Sequence, residues 1–306
     1  MISVIEKKVP SCDGIHELAG KVCLPEGEPK GLFHVVHGMT EHIGRYDAFM
    51  RAAAEAGFIC FGYDHLGHGR TAKDASELGF IAKKNGWKML AEDVAGFADA
   101  MKTEYGDDLR YVLLGHSMGS FVVRTAVETT VIPDRLIVMG TGGPNPAAPA
   151  AIAYLSTVKF FRGGRSYSGL AEKIAFSTYN ERFADENDPL SWLTKDVEVR
   201  RLNAEDEFCG FRFTVSAMRD LVKLNRFCNT KKWFRSIDRS LPILLVSGSE
   251  DPVGEYGKGV TTVYEKLKAA GAQAEMKLYE NCRHEILNDT CREEVTADVL
   301  EFALRK

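Results

Sequence analysis

A serine flanked by glycines stands at residues 115–119, Gly-His-Ser-Met-Gly. A serine hydroxyl is a poor nucleophile until a base takes its proton. The G-x-S-x-G pattern points to such chemistry where it makes a sharp turn from a strand into a helix. Roughly one chain in ten of this length carries the pentapeptide by chance, so its surroundings decide. Here the apolar run Tyr111-Val112-Leu113-Leu114 precedes it and a helix-like segment, 120–128, follows. Glycines on both sides permit strained backbone and close chain approach. The helix N-terminus behind the serine favours a developing anion. The context predicts Ser117 as nucleophile.

A serine of this kind needs an acid and a histidine, which follow it along the chain in the order Ser, Asp, His. Asp251 sits at the end of the apolar run 241–251, and His284 lies just beyond the run 274–280. His284 Nε2 would take the Ser117 proton and return it to the leaving group. Asp251 would hold the imidazole tautomer and stabilise the imidazolium. Asp238 and Glu250 are rival acids, but Asp238 precedes its strand and Glu250 is one residue out of register. His37-Gly38-Met39 ends another apolar run. The N–H groups of Met39 and Met118 are expected to form an oxyanion hole.

These residues must be carried on strand ends. Short apolar runs predict strands at 31–38, 58–65, 110–117, 134–143, 241–251 and 274–280. Amphipathic stretches predict helices at 46–56, 88–105, 119–129, 259–270 and 291–304. The alternation argues for an α/β fold, a parallel sheet with helices on both faces. Between Pro144 and Ser240 the alternation stops and helix-like segments dominate. The reading is a core of 1–143 and 241–306 with a helical cap, or lid, at 144–240. The cap would lie over the sheet's carboxyl edge, where open α/β sheets place their sites.

Taken together, these residues resemble the α/β-hydrolase superfamily. Within it they resemble the monoacylglycerol lipase and lysophospholipase-like group, which also contains enzymes named serine aminopeptidases (S33-type). The matching stretches are HGMTEHIGRY (37–46), GYDHLGHGRT (62–71), GHSMGS (115–120), GSEDPVG (248–254) and RHEIL (283–287). The resemblance implies the α/β-hydrolase fold, with a mostly parallel sheet flanked by helices and a variable helical cap. It also implies nucleophile Ser117, acid Asp251, base His284 and oxyanion donors Met39 and Met118. The activity it implies is hydrolysis of a carboxylic ester, of a monoacylglycerol- or lysophospholipid-like kind.

Composition narrows the rest. The chain has 306 residues, 45% hydrophobic and 27% charged, with net charge −4. Nothing in it points to nucleic acid. No cofactor is implied, since the triad, the donors and water suffice. The histidine-rich loop Asp64–Gly69 could suggest a metal, but no further ligand set accompanies it, so it reads as structural. GKGVTT at 257–262 fails the phosphate-loop pattern because position 252 is Pro. The N-terminus lacks a basic-then-apolar leader pattern, and no apolar run reaches the ~18 residues of a spanning helix. A cytoplasmic location is expected. The seven cysteines read as free thiols. Bulky thiol reagents are expected to reach Cys282 and displace His284.

The expected partners are a small-molecule ester and a lipid interface, with the oligomeric state open. Residues 145–240 hold 16 Lys/Arg against 12 Asp/Glu, while the rest hold 23 against 31. Lys231, Lys232 and Arg235 flank Trp233 and Phe234, a pattern suited to an anionic lipid surface. Two apolar sets are candidates for an acyl pocket. One is Ala151, Ile152, Leu155, Val158 and Phe161; the other is Phe208, Phe211, Phe213, Val215 and Met218. Two other functions stay open. An aminopeptidase or amidase would need a cap acid such as Glu205, Asp206 or Glu207 to hold an amine. A non-catalytic binding protein is opposed by the intact triad residues.

Overall fold

The computed structural model describes residues 2–305. Its strands are β1 (Ser3–Pro10), β2 (Glu17–Leu24), β3 (Gly31–Val36), β4 (Phe58–Tyr63), β5 (Tyr111–His116), β6 (Arg135–Met139), β7 (Pro242–Gly248) and β8 (Gln273–Tyr279). They form one sheet in the order β1-β2-β4-β3-β5-β6-β7-β8. From β4 across to β8 every pairing is parallel. Parallel strands covered on both faces read as continuous apolar runs, and β3, β4, β5 and β6 are buried along their whole length.

Helices α1 (Asp47–Glu55), α2 (Gly86–Tyr105) and α3 (Met118–Thr129) make the first crossovers. The segment between β6 and β7 carries α4 (Ala148–Arg162), α5 (Gly169–Phe176), α6 (Val197–Glu205), α7 (Val215–Cys228) and α8 (Lys231–Ser236), with a 3-10 turn at Glu181–Glu186. The last two helices are α9 (Lys258–Ala269) and α10 (Arg292–Leu304). One core packs α1 and α10 on one face of the sheet through Phe33, Phe49, Val246 and Phe302. The other joins α2, α3, α7 and α9 through Leu32, Phe97, Val122, Leu224 and Val263.

The fold is the α/β architecture expected, with one addition. β1 and β2 form an antiparallel hairpin that pairs antiparallel with β4. Their charged residues hide them as strands: Glu6, Lys7 and Lys8 sit in the edge strand, where charge blunts edge-to-edge pairing. Asp13 Oδ1 ties the turn by accepting from the N–H groups of Ile15 and His16 (2.8 and 2.9 Å).

Among the described residues no strand forms between β6 and β7. Ser168, Asp196, Thr214 and Thr230 each cap the N-terminus of the helix that follows, satisfying N–H groups a helix start leaves unpaired. The aromatic pair expected at a lipid surface is instead core: Trp233 is 1% exposed and Phe234 5%. Trp233 donates to the Arg124 carbonyl (2.6 Å) and lies under its guanidinium. The insert's exposed apolar side chains include Phe160 and Phe161 on α4, Leu170 and Ile174 on α5, and Val197 and Leu202 on α6. The proposed α4 stripe likewise divides, with Leu155 buried and Phe161 facing solvent.

Cys12, Cys23, Cys60, Cys209 and Cys228 are free thiols, as expected, but the other two cysteines are not. Cys282 is buried and joined to Cys291, with Cα atoms 6.5 Å apart. A thiol reagent therefore meets no free, open thiol at Cys282. No helix among the described residues is long and apolar enough to cross a membrane.

Candidate active site

Ser117 stands between the end of β5 and the first turn of α3, with φ 52° and ψ −119°. A side chain at that φ is strained, and only surroundings that over-determine the turn hold it there. The glycines do this. A Cβ on Gly115 would lie 2.3 Å from the Gly119 carbonyl oxygen, and one on Gly119 would lie 2.2 Å from that of Val36. β5 can therefore turn sharply into α3 only with both glycines. Gly38, at the end of β3, packs so closely that an added Cβ would meet Ser117 Cβ at 3.0 Å.

Asp251 and His284 come from loops after β7 and β8. His284 Nδ1 and Asp251 Oδ1 are 3.0 Å apart, both residues almost wholly buried. Asp251 also accepts from the Val253 N–H (2.8 Å) and the Ser247 hydroxyl (3.0 Å). Burial alone would raise its carboxyl. The charge and hydrogen bond of His284, with the bonds of Ser247 and Val253, outweigh that and hold it below the usual range. Asp251 thereby occupies Nδ1 and leaves Nε2 of His284 for another partner. The rival acids lie elsewhere: Asp238 is exposed and bonded to Ser240, and Glu250 pairs with Lys195.

A cavity of about 720 Å³ opens over these residues. Ser117, His284, Met39 and Met118 all line it, together with Phe211, Phe213 and Met218 from the insert. Of the apolar residues expected in a pocket, these last three reach it. Val215 is buried in the core, and Phe208 packs edge-on to His42. Glu205, Asp206 and Glu207 are not in the wall. Glu205 pairs with Arg201, and Asp206 with His42.

Other residues carry the site without having been singled out. Glu41 is buried, and its Oε1 accepts from the Gly38 N–H (2.5 Å) and the Tyr46 hydroxyl (2.8 Å). The same oxygen lies 3.2 Å from His116 Nδ1, while His116 Nε2 faces the His284 carbonyl at 3.2 Å. Burial opposes a charge on His116, but the bond and charge of Glu41 raise its pKa. One carboxylate thus ties the Met39 turn, the serine elbow and the histidine loop. Trp192 of the insert lies against the His284 ring, centroids 5.2 Å apart. Glu41 sits in the HGMTEH stretch, so its type and place were legible; nothing in the sequence marks Trp192.

The histidine-rich loop is tied down by hydrogen bonds to its neighbours. Asp64 accepts from the N–H groups of Ile43 and Arg70, both at 2.8 Å. His65 and His68 bond to backbone atoms of His37 and Leu66. Three potential donors do meet elsewhere: His42, Asp206 and Cys209, their ligand atoms within 4.8 Å. There His42 is already held by Asp206 (2.8 Å) and the Gly44 N–H (3.2 Å), and Arg45 faces the sulfur.

A family model described as serine aminopeptidase, S33, matches residues 27–291. The chain belongs to this family. Among its relatives, the monoglyceride lipase of Mus musculus is 25% identical over 277 residues, 90% of this chain and 82% of that protein. The monoglyceride lipase homolog of Monkeypox virus is 24% identical, covering 89% and 87%. A thermostable carboxyl esterase from Bacillus coagulans, solved with glycerol, superimposes with a TM-score of 0.92 and 29% identity over 99% of this chain and 98% of that one. A lipase solved in an open form gives 0.90 and 25%, covering 98% of each. The chain has the α/β-hydrolase fold, as its family and these neighbours do.

Proposed function

We propose that the protein cleaves carboxylic monoesters through an acyl-enzyme on Ser117. At the coarser level the chain is a carboxylic ester hydrolase, akin to the lipases and the esterase above. His284 Nε2 takes the hydroxyl proton as Ser117 Oγ attacks the ester carbonyl. The carbonyl oxygen gains charge opposite the N–H groups of Met39 and Met118, where fixed donors act without reorganisation. The carbon–oxygen bond to the alcohol breaks, and His284 gives that oxygen the proton. Water then repeats the sequence on the acyl-serine, releasing the carboxylic acid and restoring Ser117. Asp251 holds the Nδ1 proton throughout.

The observation that carries this reading is the strained Ser117 in one cavity with His284, whose Nδ1 lies 3.0 Å from the buried Asp251. Residues 144–240 act as the cap. Phe211, Phe213 and Met218 supply an apolar wall for an acyl chain, and the cavity has the size of a pocket for a small organic ligand. A monoacylglycerol- or lysophospholipid-like ester fits that description. A lipid surface is the second partner, met through the exposed Phe160, Phe161, Leu170 and Ile174 rather than through residues 231–235. A cytoplasmic location completes the proposal.

The test is a panel of monoesters, soluble and dispersed in anionic vesicles, set against aminoacyl anilides. Turnover of the esters, with long-chain monoesters favoured in vesicles, is expected. Faster anilide cleavage would replace the reading with an aminopeptidase. The acid has its own check. Asp251→Asn should lower kcat by about 10⁴, the loss expected when the tautomer is wrong, while Asp238→Asn should leave it near wild type. Equal effects would remove Asp251 from the role.

A further inference from the structure

Arg283, the residue before His284, is buried, with its side chain 6% exposed, and points away from the cavity chemistry into the insert. Its guanidinium forks onto both carboxylate oxygens of Glu186. It also donates to the Ser191 carbonyl at 2.6 Å and lies 3.9 Å over the Phe183 ring. Glu186 is shared with a second buried arginine, Arg200 (2.5 Å), which also holds the Ser191 hydroxyl (2.8 Å). The hydrogen bond to Arg283 is the largest influence on Glu186 and draws its carboxyl down to about 2, so Glu186 is a carboxylate at neutral pH.

Three further bonds join the same segment of the insert to the histidine loop. The Glu285 N–H donates to the Leu193 carbonyl (2.8 Å), and the Thr194 hydroxyl to that of Asn288 (3.1 Å). The Lys195 N–H donates to Asp289, whose other oxygen takes the Arg283 N–H (3.0 and 2.7 Å). What this fastening delivers is Trp192, whose ring lies against His284.

Burying two guanidiniums around one carboxylate is a poor route to stability, because desolvation offsets the attraction. A fork with fixed geometry is, however, a good way to fix position. We propose that Arg283 is a positioning residue: through Glu186 it locks segment 183–194 of the insert onto the histidine loop and so keeps Trp192 packed against His284. His284 then stays aimed at Ser117 whatever the outer helices α4 and α5 do as substrate enters. The proposal deepens the reading of His284 as the base and rests on it.

The test uses the full chain with Arg283→Gln, Arg283→Lys, Glu186→Gln and their double variant. A soluble ester gives kcat and KM. Trp fluorescence against pH gives a second readout, because a protonated imidazole quenches a neighbouring indole. Trp192→Phe and His284→Gln identify the step that belongs to this pair of rings. Arg283→Gln and Glu186→Gln should each lower kcat by about 10- to 100-fold, as for an ångström-scale misplacement of a reacting group, with little change in KM. Each should also lose most of the quenching step, with Arg283→Lys between them and wild type. The Arg283→Gln/Glu186→Gln double variant should be no slower than Arg283→Gln alone.

A kcat within twofold of wild type, or a lowered kcat with the quenching step intact, overturns the proposal. If Arg283→Gln does not fold, the isosteric change at the partly exposed Glu186 decides the matter by the same criteria. The quenching step needs no turnover. If His284→Gln and Ser117→Ala leave hydrolysis intact, the assignment of the base fails, while the locking of Trp192 is still read from fluorescence.

Discussion

Ser117→Ala lowers ester turnover by about 10⁵- to 10⁶-fold, the scale seen when the nucleophile of a cooperating triad is removed, and leaves the unfolding midpoint close to wild type. Both halves follow from the elbow. The hydroxyl is the only group the substitution removes. Alanine at φ 52° carries the same Cβ, and so the same backbone strain, as serine. A small rate above background persists, because the proposed oxyanion donors, the N–H groups of Met39 and Met118, do not depend on the side chain. Ser117→Gly sharpens the experiment. It abolishes turnover equally, but glycine accepts a positive φ freely, so the protein gains about 1 kcal/mol. Turnover by Ser117→Ala within tenfold of wild type would displace Ser117 as nucleophile. A destabilised Ser117→Gly would show that the turn is not strained.

Much of this candidate site could be read from the chain because each of its members carries its own local signal. The elbow needs two glycines at fixed spacing, and these sit between an unbroken apolar strand and a helix. Asp251 and His284 each follow an apolar run, so their place at strand ends could be read without knowing the sheet order. The hairpin β1–β2 was not legible, since its alternation is broken by charges that an edge strand tolerates. The insert was legible only as helical. Which aromatic faces the cavity depends on how α7 packs on α3, and sequence spacing cannot distinguish the buried Trp233 from the exposed Phe161. The same holds for Trp192 and Arg283, whose roles arise from contacts across 92 residues or more of chain. Cys282 and Cys291 illustrate a third case: nine residues apart, they meet because the histidine loop folds back before α10.

Acid should destabilise this protein before its ordinary carboxylates (~4) titrate, because of histidines that the proposed chemistry does not use. His34, His37, His65 and His68 are all fully buried around β3 and the loop after β4. Burial pushes His34 and His65 down to about 3 and His68 to about 4, and holds His37 well below its ordinary value. In the unfolded chain each titrates near the usual ~6.5. Above that pH neither state binds the proton, and the four histidines leave stability unchanged. Below it the unfolded state takes up protons that the native state refuses, so stability falls as pH falls.

At pH 5, about 1.5 units below the unfolded value, the cost is roughly 2 kcal/mol for each histidine. Four sum to roughly 8 kcal/mol, set against a typical total of 5–15 kcal/mol. His116, raised by Glu41, works in the opposite sense, since its contribution is fully present below the unfolded value. So do Asp64, Asp93 and Asp220, whose carboxyls burial raises and which gain stability on taking up protons. The net loss is therefore several kcal/mol rather than the full sum. Urea unfolding followed from about pH 7.5 to about pH 5 should show a plateau above ~6.5 and a steep fall below it. His68→Asn, which retains a donor for the Leu66 carbonyl, should flatten that fall by about one proton. A stability that holds level from pH 7 down to pH 5 would mean that these imidazoles accept protons in place, and the burial argument for them would be wrong.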